Sequence, residues 1–302
     1  MRTPGRSETH EAAVQPAGNR VDSRQYIFSF PIESLSAIPA DFTGLPDFGA
    51  LRAGVFLPRD DPDWLGRGDY PARVLLLTER DVVVAAHPAE REPLLQVAAG
   101  RIQSVECGRM LLPGWIVIAW DGGRIRLLYN MRTEGPVARY LRTFKDQWLP
   151  AAPMRESQRC EAVGEPLNLK FEYARIAELL PGETALVQLF HPARRHLRGS
   201  WVLRREHWLA GDLLMVTNRR VLWITDRYNG RYECYGTTSL SAPLESIADV
   251  NSSAADLGEE LKISFCSGHS WHIPVGAIEE RQTRKFEVAT WRVLNAIGRT
   301  RN

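Results

Sequence analysis

Lysine is scarce in this chain. Only four of its 38 basic side chains are lysines, so arginine supplies the other 34. The net charge of +2 is small, which excludes a strong overall attraction to polyanions. Local anion recognition remains open because a guanidinium group binds phosphate through two parallel hydrogen bonds. A genome biased toward arginine codons would explain the same composition.

Metal-ligand spacings, catalytic motifs and membrane segments are also missing from the sequence. The four cysteines form neither a Cys-x-x-Cys pair nor a zinc-type pattern, so we expect reduced structural thiols and no metal. No Gly-x-Ser-x-Gly, phosphate loop or dinucleotide fingerprint occurs, so we expect neither an enzyme nor a cofactor. The N-terminus lacks an apolar signal core, and no apolar run approaches a membrane span. These absences predict a cytoplasmic protein, at most peripheral to a membrane.

An internal repeat is the most informative pattern that is present. Residues 75–84 reappear as residues 214–224, and each copy is an apolar run, a threonine, a short polar turn and a second apolar run. That order is typical of a tight hairpin of two strands. Further strands and a closing amphipathic helix follow each copy. The repeat therefore predicts two copies of one small β-rich domain.

The predicted organisation is a disordered tail at 1–24, a first domain at 25–149, a linker at 150–166 and a second domain at 167–302. Period-two alternation predicts first-half strands at about 52–57, 73–78, 81–86, 93–97, 101–107, 115–120 and 123–129. It predicts second-half strands at about 183–190, 212–217, 220–226, 239–244, 247–252, 260–266 and 269–275, after a helix at 171–180. The two closing helices carry matching apolar stripes: Val137, Tyr140, Leu141, Phe144 and Trp148 in one, and Phe286, Ala289, Val293 and Ile297 in the other.

Seven strands and a C-terminal helix resemble the pleckstrin-homology (PH) superfold. Within it, Val-Thr-Asn-Arg-Arg-Val-Leu at 216–222 is similar to the hairpin of GRAM-type and bacterial PH-like families. The resemblance covers 183–298 well and 52–148 less well, because 79–81 read Glu-Arg-Asp. It implies a mainly β protein with α (α+β) that holds two PH-like domains, each a seven-stranded antiparallel barrel or sandwich capped by its helix. The hairpin residues themselves are expected to be structural.

One stretch stands out as a candidate binding site. Residues 191–208 contain five arginines, three histidines and two tryptophans against a single acid. In the resembled fold this stretch is the loop between strands one and two, which phosphoinositide-binding members use. The anion-binding residues predicted on that basis are Arg194, Arg195, Arg198 and Arg204, and the predicted membrane contacts are Trp201 and Trp208.

Alternatives stay open for this stretch. The other interpretation is a solvated basic loop, one form of which docks on the acidic loop 60–69, where four aspartates surround Trp64. His269 and His272 lie on opposite faces of a predicted strand, so no metal site is expected there. A nucleic-acid partner is not expected, because no extended basic face with interleaved aromatic residues is present.

The functional hypothesis is a non-catalytic binding or adaptor protein. Its second domain would engage an anionic partner, such as a phosphorylated lipid headgroup on a membrane surface. The alternative is a protein-interaction scaffold without a lipid ligand, which takes a peptide at a sheet edge or beside the helix. An enzyme is the remote third hypothesis.

Overall fold

The computed structural model describes residues 28–42, 44–46, 48–59, 71–110, 113–149, 160–198, 205–228, 231–232, 236–255, 258–276 and 280–296. The predicted tail, the acidic loop 60–69 and residues 150–159 of the predicted linker lie outside these ranges. The described chain is mainly β with three helices, so the predicted α+β class is confirmed.

The described residues of the first half form eight strands and one α-helix. They are β1 (Phe30–Pro31), β2 (Leu51–Leu57), β3 (Arg73–Thr78), β4 (Asp81–Ala86), β5 (Leu95–Ala98), β6 (Ile102–Arg109), β7 (Pro113–Trp120), β8 (Gly123–Asn130) and α1 (Glu134–Trp148). All seven predicted strands and the helix are present, with ends that differ by a few residues. The short β1 lies at the sheet edge, where it pairs with β2.

The second half begins with β9 (Glu161–Gly164), which lies inside the stretch predicted as linker, and α2 (Leu169–Glu178). The first part of its sheet region comprises β10 (Ala185–His191), β11 (Arg194–Arg198), β12 (Arg205–Leu209), β13 (Asp212–Thr217) and β14 (Arg220–Thr225). The remainder comprises β15 (Arg227–Tyr228), β16 (Arg231–Tyr232), β17 (Thr237–Pro243), β18 (Ile247–Ala255), β19 (Gly258–Phe265), β20 (Ser270–Gly276) and α3 (Glu280–Ala296).

The repeated motif builds the same turn in both halves. In the β3–β4 hairpin the Thr78 hydroxyl accepts the backbone N–H groups of Arg80 and Asp81 at 3.2 and 2.9 Å. In the β13–β14 hairpin the Thr217 hydroxyl accepts those of Arg219 and Arg220 at 3.1 and 3.0 Å. A threonine that satisfies two turn amides explains why both copies retain it.

The sheets are open, so of the predicted barrel or sandwich the barrel is wrong. In each half the seven strands divide into a four-stranded and a three-stranded antiparallel meander. The division falls at a single 3₁₀ turn, Ala99–Arg101 in the first half and Leu244–Ser246 in the second. Closure of a barrel requires each strand to pair on both sides. Here β5 does not pair with β6, and β17 does not pair with β18.

A strand junction joins the two halves into one eight-stranded sheet. The order is β8-β7-β6-β17-β14-β13-β10-β9, in which β6 belongs to the first half and β17 to the second. These two strands are antiparallel, with Thr237 opposite Arg109 and Ser241 opposite Val105. Only β9 is added in parallel, beside β10. The junction covers two sheet edges that would otherwise expose unpaired backbone groups.

The central strands are buried on both faces, which explains their continuous apolar runs. In the first half, one face of β3 packs on the core under α1, and the other packs under the segment around Ile38 and Phe42. In the second half, one face of β13 packs toward β18–β20 and α3, and the other under α2. The predicted stripe of α1 is buried in full, as are the described members of the α3 stripe.

Candidate functional site

The stretch predicted as a basic loop contains a hairpin of its own. Strands β11 and β12 form a separate two-stranded antiparallel sheet, which we call the basic hairpin, between the end of β10 and the start of β13. Its register places Arg195 opposite Trp208 and Arg198 opposite Arg205. Arg194 and Arg198 lie four residues apart on β11, so their positions share a face of the strand, and the position of Arg195 is on the other face.

The structure covers the predicted site residues unequally. Arg194 is described in full, whereas Arg195, Arg198 and Trp208 are described by their strand positions. Arg204 and Trp201 lie outside the described residues. The predicted set is thus brought onto one hairpin as far as the structure describes it.

An acid from the same half contacts the first arginine of the basic hairpin. The Arg194 guanidinium forms an ion pair with Glu165, which follows β9 and precedes α2. Both side chains are partly exposed, so this pair contributes little to folding. The contact places the start of the basic hairpin beside the start of α2.

A buried carboxylate holds the backbone just after β12, where the chain leaves the basic hairpin. The Gly211 amide donates to Asp226 Oδ1 at 2.6 Å, and Lys170 of α2 lies 3.6 Å from Oδ2. Burial raises the pKa of Asp226 to about 6, although the Lys170 charge and the Gly211 hydrogen bond oppose the shift. A side chain at Gly211 would also meet the ring of Phe171 at 2.9 Å. Helix α2 is therefore packed tightly against the base of the basic hairpin.

The Asn-x-Arg hairpin residues are structural, in agreement with the sequence analysis. Asn218 holds the start of β10 through the Thr184 amide, which donates to its Oδ1 at 3.0 Å. Arg220 is fully buried and donates to both carboxylate oxygens of Glu183, at 2.8 and 3.0 Å. It also donates to Ser241 and to the Glu178 carbonyl. The Arg220 guanidinium is therefore paired with groups inside the fold and has a structural role.

A second cluster of charges lines a cleft of about 190 Å³ between α1 and α2. The Lys145 ammonium donates to Glu178 Oε2 at 2.6 Å, and Arg109 lies 3.5 Å from Oε1. Burial acts to raise the pKa of Glu178, but the charges of Lys145, Arg109 and Arg220 outweigh it and lower the pKa to about 2. Arg109 also contacts Glu134 at 2.9 Å. The cleft thus joins the two halves, because Glu178 of the second half pairs with Arg109 and Lys145 of the first.

The histidines of β20 and its turn have separate partners. His269 stacks on Phe265 with ring centroids 4.4 Å apart, whereas His272 contacts Glu260 through Nδ1 at 2.5 Å. Among the described residues, no group of three histidine, cysteine or acidic side chains is arranged to hold a metal ion. Within the described chain, Cys107, Cys160 and Cys266 do not form disulfide bonds.

The sequence analysis missed an exposed apolar face on α2. The Ile176 side chain is 59% exposed, and Leu169 and Tyr173 on the same face are 75% and 70% exposed. The buried face instead carries Phe171, with Ala174 packed beside it. Both faces have helical spacing, so periodicity alone could not tell which one contacts the sheet.

No family model matches the sequence, and no curated protein matches it. Across the described residues, none of the helices combines the length and the apolar character that crossing a membrane requires.

Proposed function

We propose that this chain is a non-catalytic binding protein whose basic hairpin engages an anionic membrane surface through phosphorylated lipid headgroups. The single observation that carries the proposal is the basic hairpin itself. It gathers Arg194, Arg195, Arg198 and Arg205 on two short paired strands outside the main sheets. Alternate positions of a strand share a face, so Arg194 and Arg198 would approach one phosphate-bearing surface together, with Arg205 opposite Arg198.

The order of elements supports the same proposal at the level of the fold. Each half runs through four antiparallel strands, three antiparallel strands and a helix, which is the order expected of a PH-like sandwich. The basic hairpin lies between the first two main strands of the second half, where lipid-binding members of the resembled fold bind. We therefore propose two PH-like units, of which the second carries the ligand site.

Electrostatics also favour this hairpin over the other arginine clusters. Arg220 and Arg109 are committed to buried or half-buried acids within the fold. Arg194 pairs with Glu165, and because both side chains are partly exposed, an arriving phosphate can compete with this pair at low cost.

Co-sedimentation with vesicles tests the proposal. Wild type is expected to bind phosphatidylcholine vesicles that contain phosphatidylserine or a phosphoinositide, and to ignore pure phosphatidylcholine. The variant Arg194→Glu/Arg195→Glu/Arg198→Glu should lose this binding. A control with the same charge change at exposed first-half positions, Arg52→Glu/Arg101→Glu/Arg139→Glu, should retain it. Soluble inositol trisphosphate, added as a competitor, separates headgroup recognition from attraction to a charged surface.

Two results would overturn the proposal. If wild type binds none of the vesicles, the lipid function fails and a protein-interaction scaffold becomes the better account. If both triple variants lose binding equally, the attraction is nonspecific and the basic hairpin is not the site.

A further inference from the structure

The exposed face of α2 is an apolar surface near the basic hairpin that the packing of the fold does not explain. Leu169, Tyr173 and Ile176 recur at the spacing of one helical face, and each is more than half exposed. We call these three residues the α2 stripe. Large apolar side chains occur singly on most surfaces, but a contiguous row indicates a contact surface.

The α2 stripe cannot pack on the sheet, because the opposite face of the helix already does so. Phe171 is 1% exposed and packs on Phe190 with ring centroids 5.0 Å apart. Asn168 caps the helix by accepting the Phe171 amide at 3.0 Å. The stripe is therefore a fixed surface that faces away from the sheet.

The α2 stripe begins at the base of the basic hairpin. Glu165, four residues before Leu169, pairs with Arg194, and Lys170 pairs with Asp226 beside Gly211. A row of apolar side chains next to a group of arginines is the pattern of a surface that binds an anionic bilayer: the arginines meet headgroups and the apolar groups enter the interfacial layer. Tyrosine, at the centre of the stripe, is favoured at that depth.

The charges on α2 are compatible with such a contact. Glu172, on the same side of the helix, is neutralised by Arg175, which donates to it at 2.6 Å. Lys170 is held by Asp226, and Glu178 is buried in the cleft with Lys145. No uncompensated acid of α2 would therefore face the anionic lipid.

We infer that the α2 stripe is a second part of the membrane-docking surface, which inserts into the interfacial layer of an anionic bilayer while the basic hairpin binds its headgroups. This inference rests on the proposed function. It adds an apolar contribution that salt does not screen to an electrostatic one that salt weakens.

The test compares Leu169→Gln/Ile176→Gln with wild type on phosphatidylcholine vesicles containing phosphatidylserine, over a series of salt concentrations. Both positions are exposed, so the variant is expected to fold normally. Its partition coefficient should fall by about tenfold or more, the scale set by burial of two apolar side chains. The salt dependence should stay that of wild type. Val288→Gln, at an exposed apolar position on α3, is the matched control and should bind as wild type does.

Each other outcome is decisive. If wild type binds and Leu169→Gln/Ile176→Gln binds equally well, the inference is wrong and the proposed function stands. If wild type binds no vesicle, both are wrong. If sedimentation velocity shows a wild-type dimer that the stripe variant abolishes, the stripe is a self-association surface, and the membrane inference is overturned.

Discussion

At the scale of single residues, buried charges determine how this protein responds to pH. Glu178 is 6% exposed and contacts one cation from each of two first-half elements, Arg109 at the end of β6 and Lys145 on α1. Its pKa in the folded protein is about 2, against an ordinary value of 4.5. Below the ordinary pKa, the unfolded chain takes up a proton that the folded protein resists. The stabilisation from Glu178 is therefore complete above pH 4.5 and is lost as the pH falls from 4.5 toward 2.

We expect Glu178→Gln to destabilise the protein at pH 7 by about 3 kcal/mol or more, because two cations lose their buried partner. The difference from wild type in the free energy of unfolding should shrink as the pH falls from about 4.5 to about 2. Urea denaturation at a series of pH values measures both effects. Glu134→Gln removes a more exposed partner of Arg109 and is the control, with a small loss expected. If the free energies of unfolding of wild type and Glu178→Gln differ by the same amount at every pH in this range, the lowered pKa of Glu178 is contradicted.

At the scale of elements, the Trp115 ring of β7 packs closely over β6, the strand that joins the two halves. Gly108 lies opposite Trp115 on β7, and a Cβ at Gly108 would meet the Trp115 ring at 1.8 Å. The ring is held in place by a hydrogen bond to Glu106 at 2.7 Å and by the Arg126 guanidinium 5.4 Å from its centroid. Gly108 also lies opposite Thr238 of β17, so displacement of the ring would disturb the strand that joins the halves.

Gly108→Ala should therefore cost about 2–3 kcal/mol of stability, the range typical of an overpacked core. Gly100→Ala is the matched control, since no atom lies within 4 Å of its added Cβ and its backbone needs no left-handed conformation. Thermal or urea unfolding of the two variants measures the contrast. Equal stability of the two would mean that the ring does not occupy the described position over β6.

The sequence predicted the positions of some elements better than those of others. The strands of the repeat and the stripe of α1 were predicted closely, because local alternation and helical spacing carry them. Strands β11 and β12 were missed, since a stretch rich in arginine and histidine has no apolar alternation. The exposed and buried faces of α2 could not be assigned, because Leu169, Tyr173 and Ile176 have the same spacing as its buried face.

At the scale of the whole molecule, the two halves share backbone hydrogen bonds and buried ion pairs. The β6–β17 pairing and the contacts of Glu178 with Arg109 and Lys145 would break if either half unfolded alone. Further contacts join Arg219 to Asp146 at 2.6 Å and to the Leu149 carbonyl at 3.3 Å. The halves are thus expected to be one cooperative unit, although the repeat alone suggests two independent domains.

We expect scanning calorimetry to show one thermal transition, with a calorimetric enthalpy equal to the van't Hoff enthalpy. Val105→Ala in the first core and Val250→Ala in the second should lower that same transition by similar amounts, of order 2 kcal/mol each. Both valines are fully buried, Val105 on β6 and Val250 on β18, and each of these strands is the first of a three-stranded meander. Two resolved peaks, with each variant shifting only one of them, would show instead that the halves unfold separately.

The sequence by itself determined the repeat, the positions of the main strands and closing helices, and the concentration of arginines between β10 and β13. These features depend on local spacing and composition, which a single chain displays directly. Only the tertiary structure decided that the sheets stay open, that β6 pairs with β17 of the other half, and that the α2 stripe faces outward. Each of these depends on which distant edge or face covers an element, and that choice is made by packing between residues far apart in the chain.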